Sequence, residues 1–188
     1  MPNLSSVTSL ASMFSGSENL EDLKDQIGNW DMSNASDISS MFSSCSVFNE
    51  DIGNWTFTQL EIAYSVFSKA AQFNQDISNW NMSTVKTTSH MFNQAETFNQ
   101  DVSTWNMSTV ENTSGMFRDA VAFNQDISSW DMSNADDMLS MLEGALSFNQ
   151  NLANWDLSKA TNIGNTFSDT NMSQENYDAT LILSLIHI

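Results

Sequence analysis

The sequence predicts an α/β repeat protein, a solenoid of about seven coils with 25 residues in each. Tryptophan recurs every 25 residues, at Trp30, Trp55, Trp80, Trp105, Trp130 and Trp155. A Phe-Asn pair recurs at the same interval, at residues 48, 73, 98, 123 and 148. A third apolar column shares the register: Phe14, Phe42, Phe67, Phe92, Phe117, Leu142 and Phe167. One register for three residue types indicates stacked units, because no unit of this size can bury its apolar side chains alone.

One half of each unit has the apolar spacing of a short helix. Small and apolar residues recur there at steps of three and four, as in Val85, Thr88, Met91, Phe92 and Ala95. Ser83 and Thr84 precede this run and offer N-cap hydroxyl groups. We therefore expect a helix of two to three turns in each coil.

The other half of each unit has the features of a short strand. In residues 98–105 the apolar spacing is too uneven for a helix, and the β-branched Val102 stands among turn-forming residues. In a stack, equivalent strands would pair in parallel about 4.8 Å apart. A strand and a helix within 25 residues match the size of a leucine-rich-type coil.

The composition excludes several classes of protein. There are 23 acidic and 5 basic residues, for a net charge of -18, which argues against nucleic acid as a partner. No apolar run approaches the roughly 18 residues of a transmembrane segment. A single cysteine cannot form an internal disulfide framework. With 40% hydrophobic residues the chain is too apolar for intrinsic disorder, so we expect one folded domain.

Both ends of the array depart from the repeat. We assign residues 1–183 to a single repeat domain, with an atypical first coil at residues 4–29 and a closing segment at residues 168–183. The first coil is longer than the others, and the insertion falls in residues 17–24. Residues 184–188 fit no column, and we predict that they are a non-native or truncated tail.

The clearest candidate for a binding site is a column of aspartates. Asp51, Asp76, Asp101 and Asp126 share one repeat position, which Asn151 occupies in the next coil. Stacked in register, these carboxylates would lie about 5 Å apart and could form a ladder for Ca²⁺, a cation that prefers oxygen ligands. Alternatively, each carboxylate bonds the backbone or a neighbouring polar side chain, or faces water. We favour this structural interpretation, because the sequence contains no calcium-binding loop motif.

The other repeated residues are better explained by structure than by chemistry. We predict that the tryptophan and methionine columns form the core, although a tryptophan row could also stack on sugars. The asparagine column (Asn49, Asn74, Asn99, Asn124 and Asn149) predicts an internal amide ladder. Cys45 aligns with alanines and should fill a small buried site, whereas His90 occupies a variable position that we expect to be exposed. No catalytic motif is recognisable, so we do not expect an enzyme.

Residues 73–85, Phe-Asn-Gln-Asp-Ile-Ser-Asn-Trp-Asn-Met-Ser-Thr-Val, resemble a known repeat. They are similar to the repeats of the BspA-like leucine-rich surface proteins, also called DUF285 or mycoplasma-type lipoprotein repeats. Residues 173–182 resemble the segment that closes such arrays. The resemblance implies a right-handed leucine-rich-type solenoid, an extracellular or cell-surface location, and a role in adhesion or protein binding. It supplies no catalytic residues.

Together these observations predict a non-enzymatic surface or secreted protein that binds a protein or a glycan through the face of the array. No cofactor is expected, apart from Ca²⁺ in the aspartate interpretation. Two alternatives stay open: a calcium-stabilised adhesion module built on the aspartate column, and a polysaccharide-binding solenoid built on the tryptophan column.

Overall fold

The structure, a computed structural model, describes residues 4, 6–21 and 26–186, with side chains as far as Leu181. In these residues the helices are a 3₁₀ turn at Ile27–Asn29 and an α-helix, α1, at Gln174–Ile186. The rest of the described chain consists of turns and isolated bridges.

Successive coils stack in parallel register through a single bridged residue in each. The bridges join neighbouring members of one column: Ser9, Asp37, Ile62, Thr87, Asn112, Asp137 and Asn162. Partners in a bridge lie 25 residues apart in the chain, and 28 apart for the first pair, as the insertion in the first coil requires.

The prediction of a right-handed, leucine-rich-type α/β solenoid, with a strand and a helix in every coil, is wrong. Where we expected helices, the backbone alternates between local turns and bonds to the next coil. Met41 N–H donates to Ile38 O within its coil at 3.2 Å, but Phe42 N–H donates to Val66 O in the next coil at 2.9 Å. Ser40 and Ser44 have positive φ angles of 54° and 61°. Each coil has two such left-handed residues, four positions apart, so no helix can propagate through the segment.

The predicted strands are also absent from the described coils. In residues 98–105 the backbone is instead irregular and contains one tight turn, in which Trp105 N–H donates to Val102 O; another turn, in which Phe98 N–H donates to Ala95 O, precedes it. Only one residue per coil pairs in the manner of a sheet, and it lies in the half of the unit that we predicted to be helical.

The core consists of columns of aromatic rings, as the register predicts. Phe42, Phe67, Phe92 and Phe117 are fully buried and stack in series, with centroids 5.4–5.7 Å apart. Within a coil the two phenylalanines also stack, at 4.0 Å between Phe42 and Phe48. The distances between rings of neighbouring coils are those of favourable offset ring pairs, which add to the stabilisation from apolar burial.

The tryptophan column belongs to this core, which confirms the prediction. Trp55, Trp80 and Trp105 are at most 3% exposed. Each indole N–H donates to a carbonyl of the preceding coil, as in Trp55 Nε1 to Ile27 O at 2.8 Å. Trp30, at the start of the array, has a buried indole N–H with no acceptor among the described residues. The methionine columns are buried as well, and Cys45 is fully buried as predicted.

Helix α1 packs over one half of the last coil but one, which contains Asn149 and Leu152. Asn149 Oδ1 accepts hydrogen bonds from Ser173 N–H at 2.8 Å and from Asn176 Nδ2 at 2.9 Å, and Leu152 N–H donates to Thr180 Oγ1. The predicted closing segment, residues 168–183, therefore contains most of α1. The helix continues to Ile186, through residues that we predicted to be a tail, whereas residues 187 and 188 lie outside the described part. Part of the predicted insertion, residues 22–24, also lies outside it.

Candidate functional site

The face that carries the bridges varies in sequence from coil to coil. We define the ladder face as the bridged column together with the column two residues further along each coil. The second column contains Ala11, Ser39, Tyr64, Ser89, Ser114, Leu139 and Gly164. The core columns repeat nearly the same residue in each coil, whereas the bridged column alone contains serine, aspartate, isoleucine, threonine and asparagine.

Large apolar side chains are exposed at two places on the ladder face. Ile62 and Tyr64, in one coil, are 38% and 45% exposed, and Leu139, three coils further on, is 40% exposed. Aromatic and apolar side chains held on a rigid backbone are typical of binding hot spots. Sequence reasoning missed these residues, although their departure from the polar residues of the same columns was a visible signal.

A polar network lies between these two apolar places. Ser89 Oγ lies 2.8 Å from His90 Nδ1 and 2.8 Å from Ser114 Oγ, and Ser114 Oγ donates to Asn112 Oδ1 at 2.8 Å. The imidazole also meets the ring of Tyr64 edge-on, with centroids 6.0 Å apart. The network thus links three successive coils at the centre of the ladder face.

His90 is half-buried in this network, not fully exposed as we predicted. Burial and, to a lesser extent, the Arg118 guanidinium lower the pKa of His90 below its ordinary value of 6.5, and Asp137 partly opposes the shift. The pairing of Ser89 with His90 places a hydroxyl beside a base. Ser89 is only 5% exposed, however, so a substrate carbonyl could not reach its hydroxyl oxygen without rearrangement of the face.

Ion pairs flank the network on exposed positions. Lys86 Nζ lies 3.6 Å from Glu111 Oε1, and Arg118 Nη2 lies 3.4 Å from Glu143 Oε1. The side chains of Lys86 and Glu111 are more than half exposed. Pairs of this kind contribute at most about 1 kcal/mol to stability, so their side chains are available to exchange partners on binding.

The predicted aspartate column lies on another surface and is engaged with its own backbone. In each member, Oδ1 accepts the N–H of the residue two positions later: Gly53 for Asp51, Ser78 for Asp76, Ser103 for Asp101 and Ser128 for Asp126, all at 2.9–3.0 Å. These bonds close small turns and are of the kind that we favoured as the structural interpretation.

The serines beside this column also affect its protonation. The pKa of Asp76 lies below 3.8 because the backbone N–H and the hydroxyl of Ser78 stabilise the carboxylate. The hydroxyl and N–H of Ser103 and Ser128 likewise lower the pKa values of Asp101 and Asp126. Within the described residues, no three His, Cys, Asp or Glu side chains are grouped so as to hold a metal ion. The calcium ladder stays the less favoured of the two interpretations.

The asparagine column forms a ladder, but not the internal amide-to-amide ladder that we predicted. Asn99 Oδ1 accepts the backbone N–H of Asn124 at 2.9 Å and Nε2 of Gln125 at 2.9 Å. The side chains are exposed or half-buried, because the column lies at the surface. The side-chain donors are the glutamines of the repeated Phe-Asn-Gln motif, each of which donates to the asparagine of the preceding coil: Gln75, Gln100, Gln125 and Gln150. The repeated motif could have indicated this role.

Comparison with known proteins identifies the repeat. The sequence profile of a family described as "Mycoplasma protein of unknown function, DUF285" matches residues 1–96 and 64–180. The chain belongs to the DUF285 family. No curated protein matches the chain, and no solved structure does.

Membership of the DUF285 family confirms the resemblance inferred from residues 73–85. The description of the family as one of unknown function names no ligand or activity. Neither helix of the described chain has the length and apolarity needed to traverse a bilayer.

Proposed function

We propose that this DUF285 chain is a non-enzymatic, exported protein that binds another macromolecule through the ladder face. The observation that carries the proposal is the pair of exposed apolar places, Ile62 with Tyr64 and Leu139, on either side of the polar network around His90. Apolar anchors that flank a polar centre match the composition of protein-binding surfaces.

The backbone beneath the ladder face favours recognition of a macromolecule. The bridges and the bonds between coils hold the side chains at fixed positions, so little conformational entropy is lost when a partner binds. A stack of coils also offers an extended surface, as other repeat proteins do.

The charge favours a basic protein as the partner. The chain has a net charge of -18, and Glu61, Glu111 and Asp136 are exposed beside the bridged column. Such a surface accelerates encounter with a cationic partner and repels anionic ones. Lys86 and Arg118 interrupt the acidic surface and would fix the register of the partner.

The placement of the reactive side chains is consistent with a binding role without catalysis. Cys45 is fully buried, and burial raises the pKa of its thiol, which makes it a poor nucleophile. Ser89 is also buried, and the aspartates of the repeated column are occupied by backbone N–H groups.

Printed arrays of purified extracellular proteins and of glycans would test the proposal. The chain would be compared with a Tyr64→Ala/Ile62→Ser variant and with a Leu146→Ser control, because Leu146 is 60% exposed but lies outside the ladder face. We expect basic protein spots that bind the chain and the control but not the variant. Binding that is equal in all three proteins would contradict the proposal, as would binding to glycans alone.

The location requires a separate experiment. An antibody against the chain would be applied to intact and to permeabilised cells of the source organism. We expect equal labelling in both preparations. Labelling only after permeabilisation would contradict export while leaving the array result unaffected.

A further inference from the structure

The two ends of the described array carry complementary backbone groups. Between neighbouring coils, four alternate N–H groups of one coil donate to four alternate carbonyls of the next, and this pattern holds for all six pairs. In the last coil, the equivalent N–H groups have no acceptor among the described residues: Ile163, Asn165, Phe167 and Asp169. In the first coil, the equivalent carbonyls have no donor there: Ser9, Ala11, Met13 and Ser15.

The backbone conformation of residues 163–169, the open edge of the last coil, determines which kind of segment can pair with it. Asn165 and Asp169 have positive φ angles of 57° and 55°, so the four donors do not lie on a straight strand. An ordinary extended peptide could not meet all four of them. The acceptor segment in the first coil has the same conformation, with positive φ angles of 58° at Ser12 and 77° at Gly16. Another coil of this type therefore fits the edge.

The side chains at the two ends are complementary as well. The apolar residue before each member of the Phe14–Phe167 column is fully buried in the internal coils, as Met41 and Val66 are, but Met13 is 49% exposed. At the other end, a cleft of about 200 Å³ is lined mainly by apolar groups, among them Ile163, Thr166 and Phe167. Tyr177 of α1 also lines this cleft, so the helix borders the open edge.

We propose that the chain assembles head to tail, with the first coil of one copy stacked on the last coil of a second copy. The carbonyls of residues 9–15 then accept the N–H groups of residues 163–169, and Met13 lies above Thr166 in the cleft. The contact is heterologous, so it generates short filaments or a ring rather than a closed dimer. The inference is independent of the proposed function of the ladder face.

Charge governs when this assembly forms. Each copy carries a net charge of -18, and the resulting repulsion opposes stacking at low ionic strength. The Debye length falls to about 10 Å at 0.1 M salt, which relieves this repulsion without weakening the backbone bonds or the apolar contact. We therefore expect association to increase with salt, whereas a charge-driven complex would dissociate.

Disulfide trapping tests the orientation of the copies. In a Cys45→Ala background, Ser15→Cys and Ser168→Cys place thiols at exposed members of one column at opposite ends. Equivalent positions in stacked coils lie about 4.8 Å apart, within the range for a disulfide. A mixture of the two variants under oxidation at 0.5 M NaCl should give heterodimers. Disulfide-linked dimers of either variant alone at similar yield would overturn the proposal, as would the absence of heterodimers.

Sedimentation of the unmodified chain tests the interface. We expect its mean mass to rise with concentration and with salt, and Met13→Glu to return it to the monomer value. Leu146→Glu, which adds the same charge at an exposed position away from both ends, should associate like the unmodified chain. Tryptophan fluorescence would verify that both variants are folded. A monomer under all conditions, or association that Met13→Glu does not reduce, would overturn the proposal.

Discussion

The imidazole of His90 lies directly over Gly115, so close that a Cβ atom on the glycine would be 2.9 Å from the ring. Both residues have positive φ angles, 56° and 59°, as do Ser40, Ser65 and Ser140 at the same repeat position. The array therefore tolerates a left-handed side chain at this position in several coils. What is special at Gly115 is the space that it leaves for the imidazole of His90.

The His90–Gly115 relationship predicts strong coupling between substitutions. Gly115→Ser should destabilise the chain by about 2 kcal/mol or more, because the new side chain collides with His90 and adopts a left-handed conformation. In the His90→Ser/Gly115→Ser variant the collision is absent, and we expect at least about 1 kcal/mol of the loss to be recovered. Urea unfolding followed by tryptophan fluorescence would measure both. Additive effects would show that His90 does not occupy the space over Gly115.

The environment of His90 predicts that the free energy of unfolding depends on pH. Its pKa in the folded chain is below 6.5, so the unfolded chain binds more protons between these two values. The free energy of unfolding should therefore fall as the pH decreases from 6.5 through the pKa of the folded state. His90→Asn should remove this slope, because asparagine is neutral and already occupies the position as Asn165. A proton NMR titration of the imidazole, with this variant for assignment, would contradict the prediction if His90 titrated above 6.5.

The hydrogen bonds of the tryptophan column predict that replacement by phenylalanine lowers the free energy of unfolding more at Trp105 than at Trp30. In Trp105→Phe the carbonyl of Ile77 loses the indole N–H that lies 3.1 Å away, at a cost of about 1–3 kcal/mol beyond the lost packing. Trp30→Phe removes a donor that has no acceptor among the described residues. We expect urea unfolding to show a clearly smaller loss for Trp30→Phe. Equal losses would mean that packing alone determines the cost.

The hydrogen bonds of Asn149 predict that this residue contributes to the local stability of α1. Its side-chain oxygen accepts bonds from Ser173 N–H and Asn176 Nδ2. Asn149→Ala should release these donors and accelerate amide hydrogen exchange in α1 by about 10-fold, which corresponds to 1.4 kcal/mol of local stability. Asn154→Ala, at an exposed position of the same coil, is the control and should leave exchange in α1 unchanged.

The aspartate column predicts no specific response to calcium. In Asp51, Asp76, Asp101 and Asp126, one carboxylate oxygen already accepts a backbone N–H. We expect 5 mM CaCl₂ to shift the unfolding midpoint no more than NaCl of equal ionic strength, because both relieve the repulsion of a chain with a net charge of -18. A calcium site with a Kd 100-fold below the free concentration would add about 2.7 kcal/mol. A rise of that size would establish the calcium ladder.

The sequence was sufficient to predict the stacking register and the residues of the core. In a stack, each coil packs on a copy of itself, so the same large side chain recurs wherever the ring columns pass, as Phe67 and Phe92 do. Cys45 could be assigned to the core because it aligns with alanines that have little room.

The local backbone could not be predicted from the same pattern. Apolar residues at steps of three and four usually indicate one face of a helix. The same spacing occurs here in a segment without a helix, at Ile38, Met41, Phe42 and Cys45. Its backbone forms two turns, with left-handed residues at Ser40 and Ser44, and these turns direct the four side chains into the core. Serine rarely adopts positive φ, so these interruptions could not be predicted from the residue types. The ladder face was missed for a related reason, since its position depends on which half of the coil pairs with its neighbours.

The near absence of helix and strand from the described coils has a practical consequence. Far-ultraviolet circular dichroism detects repeated backbone angles, and a spectrum of the native chain would resemble that of a denatured one, apart from bands due to the closely spaced indoles. A preparation judged by that measurement would be discarded as misfolded. Slow amide exchange in the bonds between coils, such as Phe92 N–H to Met116 O at 2.8 Å, is the proper sign of an intact molecule.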